Sequence, residues 1–144
     1  MDYLKSFAVS AAGMAVERTR VEAAAMNLAN ANTVQDPAAA GFRPLRVAAR
    51  AGQAAPFAIL VESGLGSTAL PAATVEPMDV APRLVQEPGH PLANEQGFVA
   101  YPGVDTATEM VSMMSATRAY EANVAALNTA RSLALKTLDI GRNT

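Results

Sequence analysis

Few residues in this sequence have the types and spacing that chemistry requires. His90 is the single histidine, set between Gly89 and Pro91. A metal-binding or acid–base role needs partners at defined distances, and with no Cys in the chain only scattered carboxylates remain to supply them. His90 therefore reads as a turn residue. Ser112 and Ser115 have no histidine beside them, so a folded triad would have to recruit His90. Gly64-Leu65-Gly66 lacks the third glycine and the following Lys-Ser/Thr of a phosphate cradle, and Gly64 to Thr68 reads as a flexible loop. The pattern assigns no catalytic, cofactor-binding or metal-ligating residue and argues against an enzyme.

The remaining polar candidates concern association. Arg18, Arg118 and Arg131 fall on or near apolar stripes. Either their stems pack while their heads reach solvent, or they pair with acids of neighbouring subunits and fix register, as Thr117 and Arg131 would at seam positions. The formal charge of −2, without a run of Lys or Arg, argues against a nucleic-acid partner. Seven methionines, among them Met110, Met113 and Met114, read as adaptable packing rather than a ligand site.

The elements that must position these residues separate into three zones. From Tyr3 to about Thr33 there is no Pro, and Leu4, Phe7, Ala11, Met14, Val21, Ala25 and Leu28 step by threes and fours along one helical stripe interrupted at Arg18. From about Val34 to Asp105 lie all nine prolines, which exclude long helices. Short apolar runs between these breakers, Leu45 to Ala49, Phe57 to Val61, Leu84 to Val85 and Phe98 to Tyr101, read as strands of a small irregular β unit. From Thr106 onward Met110, Met113, Thr117, Tyr120, Val124, Leu127, Arg131, Ala134 and Leu138 keep the 3.5-residue repeat of a coiled coil. Asp105 with Thr106 supplies an N-cap, and Gly141 a C-cap. The fold class that follows is mainly α with a small β-rich middle. An N-terminal helix (1–33), an irregular β-rich domain (34–105) and a C-terminal helix (106–144) follow one another, the two long helices pairing as a coiled coil.

Helices of about 30 and 35 residues extend about 45 to 50 Å, too far for a middle zone of about 70 residues to cover. Their seams must meet each other or other copies, which is a design for assembly. No basic segment followed by an apolar run marks a cleavable secretory signal, and no uncharged apolar stretch approaches the about 20 residues needed to span a bilayer, so these rules alone place the chain in the cytoplasm.

The first helix closes on Asn27-Leu28-Ala29-Asn30-Ala31-Asn32-Thr33, followed at Gly41 by Gly-Phe-Arg. Chemically an Asn cluster is a helix stop, since Asn accepts the left-handed conformation. The segment also resembles the signature of flagellar rod and hook proteins. Glu87-Pro88-Gly89-His90-Pro91-Leu92-Ala93-Asn94-Glu95-Gln96-Gly97-Phe98-Val99 resembles the segment that sets the FlgC type of proximal rod protein apart from its relatives. Pro102-Gly103-Val104-Asp105, Glu109-Met110-Val111, Ser115 to Val124, and Leu127-Asn128-Thr129 through Gly141 are similar to the same family. Between Gly52 and Val80 nothing is similar.

The resemblance implies a structural subunit of the proximal rod of the flagellar basal body, exported uncleaved by the flagellar type III apparatus and assembled in the periplasm. That replaces the cytoplasmic placement. It implies helical stacking with itself and the other proximal rod subunits, contacts with the membrane-ring adaptor and the distal rod, and transmission of torque toward the hook. The residues expected to carry assembly are Leu4, Phe7, Met14, Val21, Asn27, Leu28, Asn30, Asn32, Met110, Met113, Tyr120, Val124, Leu127 and Leu138. No small-molecule substrate or cofactor is implied. The competing expectation from the helices alone is a binding or export-chaperone-like module that holds one partner.

Overall fold

A computed structural model describes residues 3–51 and 70–142. In chain order its elements are α1 (Tyr3–Asn30), β1 (Leu45–Ala51), β2 (Pro71–Pro77), β3 (Arg83–Gln86), β4 (Phe98–Tyr101) and α2 (Thr106–Arg142). At 1.5 Å per residue the two helices run about 42 and 55 Å. The architecture is two long terminal helices enclosing, in sequence, a small β-rich middle.

The chain divides into two compact units. One comprises Met1–Arg18, Ala49–Thr74 and Ala116–Thr144, the other Thr19–Ala48 and Val75–Ser115. In the first, Val16 and Ala116 are buried, and Gly13 lies so close to Asn123 that a Cβ built on the glycine would stand 2.9 Å from the Asn123 Oδ1. Glycine is the residue that allows this approach between the helices.

The second unit holds most of the buried side chains: Ala23, Ala24, Asn27 and Ala31 from α1 and its end, with Val99 and Ala100 of β4. Strands β3 and β4 pair antiparallel with Arg83 opposite Tyr101 and Gln86 opposite Phe98. Gln35 extends this sheet by a bridge on the far side of Ala100, exchanging N–H···O bonds of 2.8 and 3.0 Å. Strands β1 and β2 form a separate two-stranded sheet. There the Met78 N–H reaches the Pro44 carbonyl at 2.6 Å and Arg46 meets Glu76 at 3.0 Å. Partners that recede on one strand as they advance on the other mark an antiparallel pair.

The β3–β4 connection is a compact loop. The Glu87 N–H bonds the Gly97 carbonyl, His90 and Ala93 close successive turns, and Asn94 Oδ1 accepts from the amides of Gln96 and Phe98. His90 is the turn residue its neighbours suggest, its Nδ1 accepting the Leu92 N–H at 3.1 Å. Gly97, at φ 79°, takes the left-handed conformation that a side chain would strain. At the base of the loop the Tyr101 hydroxyl donates to Glu87 Oε1 at 2.9 Å, and the Arg83 guanidinium lies 5.1 Å from the Tyr101 ring centre.

Three expectations are corrected. Strand β2 was not anticipated, since Pro71-Ala72-Ala73-Thr74-Val75-Glu76-Pro77 has proline at both ends and one large apolar residue. Gly141 does not cap α2: the helix runs through it to Arg142 without a positive φ. Asn30 and Asn32 are not left-handed either, as no described residue other than glycine has positive φ. The end of α1 is held instead by a bond from Asn30 Nδ2 to the Met26 carbonyl at 2.8 Å and by the Thr33 N–H on the Asn30 carbonyl at 3.0 Å. These bonds satisfy the last-turn groups with right-handed backbone, so no αL residue is required. The strand expected at Phe57 to Val61 and the loop expected at Gly64 to Thr68 lie outside the described residues.

Candidate functional site

The helices present two kinds of surface. Large apolar side chains at the expected seam positions remain open: Leu4 is 79% exposed, Met110 59% and Leu138 70%, and Tyr120 is also exposed. Phe7, Met14, Val21 and Leu28 on α1 are half-buried, as are Met113, Val124 and Leu127 on α2. Beyond those positions Val111, Met114, Leu133, Leu135 and Ile140 are exposed on α2 as well. Burial within the chain is concentrated on small residues, Ala23 and Ala24 on α1 and Ala116 on α2. Close approach of backbones selects Ala and Gly and leaves longer side chains at the margins or in the open. Large apolar groups left open in clusters along a helix mark an interaction surface.

Asn27 is the exception on the buried face. Its residue is 0% exposed, and its carboxamide is fully engaged. Oδ1 accepts the Leu45 N–H at 2.7 Å, while Nδ2 donates to the Leu45 carbonyl at 2.8 Å and to Glu109 Oε1 at 2.9 Å. The side chain therefore treats the first residue of β1 as a neighbouring strand would, and its last proton reaches the first turn of α2. Asn30 is half-buried and bonds only within its own turn and to Thr33, and Asn32 is exposed. The sequence marks all three asparagines as a helix stop, but only Asn27 joins separate elements. Hydrogen-bond partners 18 and 82 residues away leave no local signal.

The start of α2 follows its sequence signature. Asp105 Oδ1 accepts the Ala107 N–H at 3.1 Å, and its second oxygen accepts the Thr108 hydroxyl. The Thr108 hydroxyl first, and the Ala107 N–H next, hold the Asp105 carboxyl below its ordinary pKa of 3.8. Glu109 adds an acid in the first turn and Arg142 a base in the last, both favourable to the helix dipole. By contrast α1 has neither an acid in its first turn nor a base in its last.

Near Asn27 a shallow cleft of about 280 Å³ is lined by Ala23, Ala24, Leu45, Val47, Met78 and Ser112, with Arg20 and Arg46 among its polar groups. Among the described residues no three His, Asp or Glu side chains cluster as metal ligands would. Nor is any described helix long and apolar enough to cross a membrane. The arrangement offers apolar and small-residue helix faces for packing and a buried polar junction that anchors them.

Comparison with known proteins bears on what such faces pack against. The family described as flagellar basal body rod FlgEFG protein C-terminal matches residues 95–140, from the β3–β4 loop through most of α2. The flagellar basal-body rod protein FlgC of Salmonella typhimurium is 38% identical over 142 residues, covering 99% of this chain and 100% of the relative. FlgC of Bacillus subtilis is 32% identical over 150 residues, with 99% and 100% covered. That of Borreliella burgdorferi is 30% identical over 143 residues, with 92% and 93% covered.

Proposed function

The chain belongs to the FlgC family of flagellar basal-body rod proteins, a structural subunit of the proximal rod, and from that premise we propose that it assembles helically through its terminal helices. The observation that supports this mode is the set of large apolar side chains left open on α2, Met110, Val111 and Met114 in its first third and Leu133, Leu135, Leu138 and Ile140 in its last third. A helix of about 55 Å that leaves so many large apolar groups open gains stability when another apolar surface covers them. In the assembled rod these side chains interdigitate with helices of neighbouring subunits in coiled-coil fashion, with Phe7, Met14, Val124 and Leu127 completing the contacts. The FlgC relatives are named for the basal-body rod, so other rod components are the natural neighbours. The subunit stacks with the other proximal rod proteins, meets the membrane-ring adaptor below and the distal rod above, and passes torque between them.

Assembly at that place requires the chain to leave the cytoplasm. It does so through the flagellar type III export apparatus with its N-terminus intact, and the rod forms in the periplasm. The test is a strain whose own copy is deleted and replaced by this chain carrying an epitope tag in the 52–69 region. Purified basal bodies should contain the tagged chain, shortened by no more than Met1 in mass spectra. A chain that accumulates in the cytoplasm bound one-to-one to a single partner would instead identify an export-chaperone-like module.

A further inference from the structure

We propose that Asn27 is a conformational latch: its carboxamide makes the last turn of α1 and the first turn of α2 order together, in a single step, on the leading residue of β1. The inference rests on three observations about one side chain. Asn27 is fully buried, so water offers no substitute for a lost partner. Both of its amide protons and its oxygen are used, two bonds going to the Leu45 backbone and one to Glu109 Oε1. Its partners belong to two different elements, 18 and 82 residues along the chain.

These facts link the elements energetically. If α2 unwinds at its start, one Asn27 proton is left bare inside the unit. If α1 unwinds at its end, Glu109 loses its inward donor and Leu45 loses partners for both its N–H and its carbonyl. A buried Asn27 group left without a partner lowers the population of such a half-ordered state by about tenfold, and the half-buried Leu45 and Glu109 groups add less. A state with one helix turn formed and the other open is therefore scarce, and the two turns appear and vanish together. The surroundings sharpen the effect. With no basic residue in its last turn, α1 has no charged side chain to stabilise that end by itself. Asn30, three residues on, serves only its own turn and the next residues, bonding the Met26 carbonyl and meeting the Thr33 hydroxyl, so it can act as the local control.

The test is hydrogen exchange on the full-length chain, free in solution and in isolated basal bodies, following residues 24–30 and 106–112. In either state the two segments should be protected together or open together; protection of one without the other overturns the latch. Where both are protected, Asn27→Asp places a carboxylate against the Glu109 carboxylate and removes both donated bonds. Exchange should rise about tenfold or more in both segments. Adding Glu109→Gln supplies an amide that donates to the new carboxylate, and protection should rise in both segments by about threefold or more over the single variant, short of the parent because the Leu45 carbonyl still lacks its donor. Asn30→Ala should affect only its own end of α1. An Asn27→Asp effect confined to α1 overturns the latch, as does a double variant no better protected than the single one, whether or not the single variant folds. The proposal does not depend on rod membership: a free chain with co-protected segments that never enters basal bodies would overturn the functional reading and leave the latch standing.

Discussion

Leu138→Asp separates what α2 does inside the subunit from what it does between subunits. Leu138 is 70% exposed, so the fold itself uses less than a third of the burial a leucine can offer. Full burial of a leucine side chain is worth about 2 to 3 kcal/mol, which leaves less than about 1 kcal/mol at stake in the isolated chain. In the assembled rod, on the proposed packing, the remaining burial of about 2 kcal/mol is lost. A carboxylate forced into an apolar contact adds a penalty of several kcal/mol. A loss of about 4 kcal/mol or more per contact weakens association about a thousandfold. The assay compares cellular abundance by immunoblot with the amount recovered in purified basal bodies, in cells that carry only the variant. Abundance should stay near the parent level while incorporation falls below detection and motility is lost. Asn128→Asp, at an exposed polar position, is the control and should assemble normally. A Leu138→Asp chain that enters basal bodies at the parent level would refute the assembly surface, and one that vanishes from the cell would refute the claim that the subunit hardly uses this side chain.

Leu127→Asp should behave differently from Leu138→Asp, because Leu127 is half-buried in the subunit itself: the free chain should lose stability on thermal unfolding as well as failing to assemble. Gly97→Ala forces a side chain into φ 79° with its Cβ 3.1 Å from the Pro88 Cβ, and calorimetry should show a loss of about 1 to 2 kcal/mol. Asp105 is an acid whose pKa is depressed on folding, so its contribution to the start of α2 is present above the ordinary value of 3.8 and is lost as pH falls below that value. Circular dichroism should show acid loss of helix in the parent, and a pH dependence in that range that Asp105→Asn removes. In the dilute chain the mostly exposed end of α2, residues 131–142, should exchange rapidly for want of partner surface, and strong protection there in a proven monomer would contradict this.

The strands at Arg83–Gln86 and Phe98–Tyr101 and the cap at Asp105 were legible because each rests on neighbours in sequence. Apolar runs bounded by proline and glycine gave the first two, and an acid followed by threonine before a long periodic stretch gave the third. Strand β2 was hidden because its pairing with β1, rather than its own composition, makes it a strand. The helix faces were legible only in part. Seams drawn from Leu, Met and Val find the large apolar side chains, most of which stay wholly or partly open, whereas intrachain burial falls on Ala23, Ala24 and Ala116. Alanine is both a good helix former and a good contact residue, so its presence does not say which face packs. Gly141 misled for a related reason: glycine ends a helix where the backbone turns left-handed, and here it stays helical. The role of Asn27 was not readable at all, since nothing near Leu45 or Glu109 announces a shared amide.

The distance along the chain between Asn27 and Glu109 also sets a clock. Leu45 follows Asn27 by 18 residues and Glu109 by 82. At a synthesis rate of about 5 to 20 residues per second, Leu45 emerges about 1 to 4 s after Asn27, and Glu109 about 4 to 16 s after it. During that interval the Glu109 acceptor does not yet exist, so the Asn27 junction stays open on the nascent chain. A long-range closure of this kind adds loop entropy that local turns do not, and it raises the contact order of an otherwise helical protein. The native junction is therefore completed late, and the nascent N-terminal helix spends seconds without its final anchor.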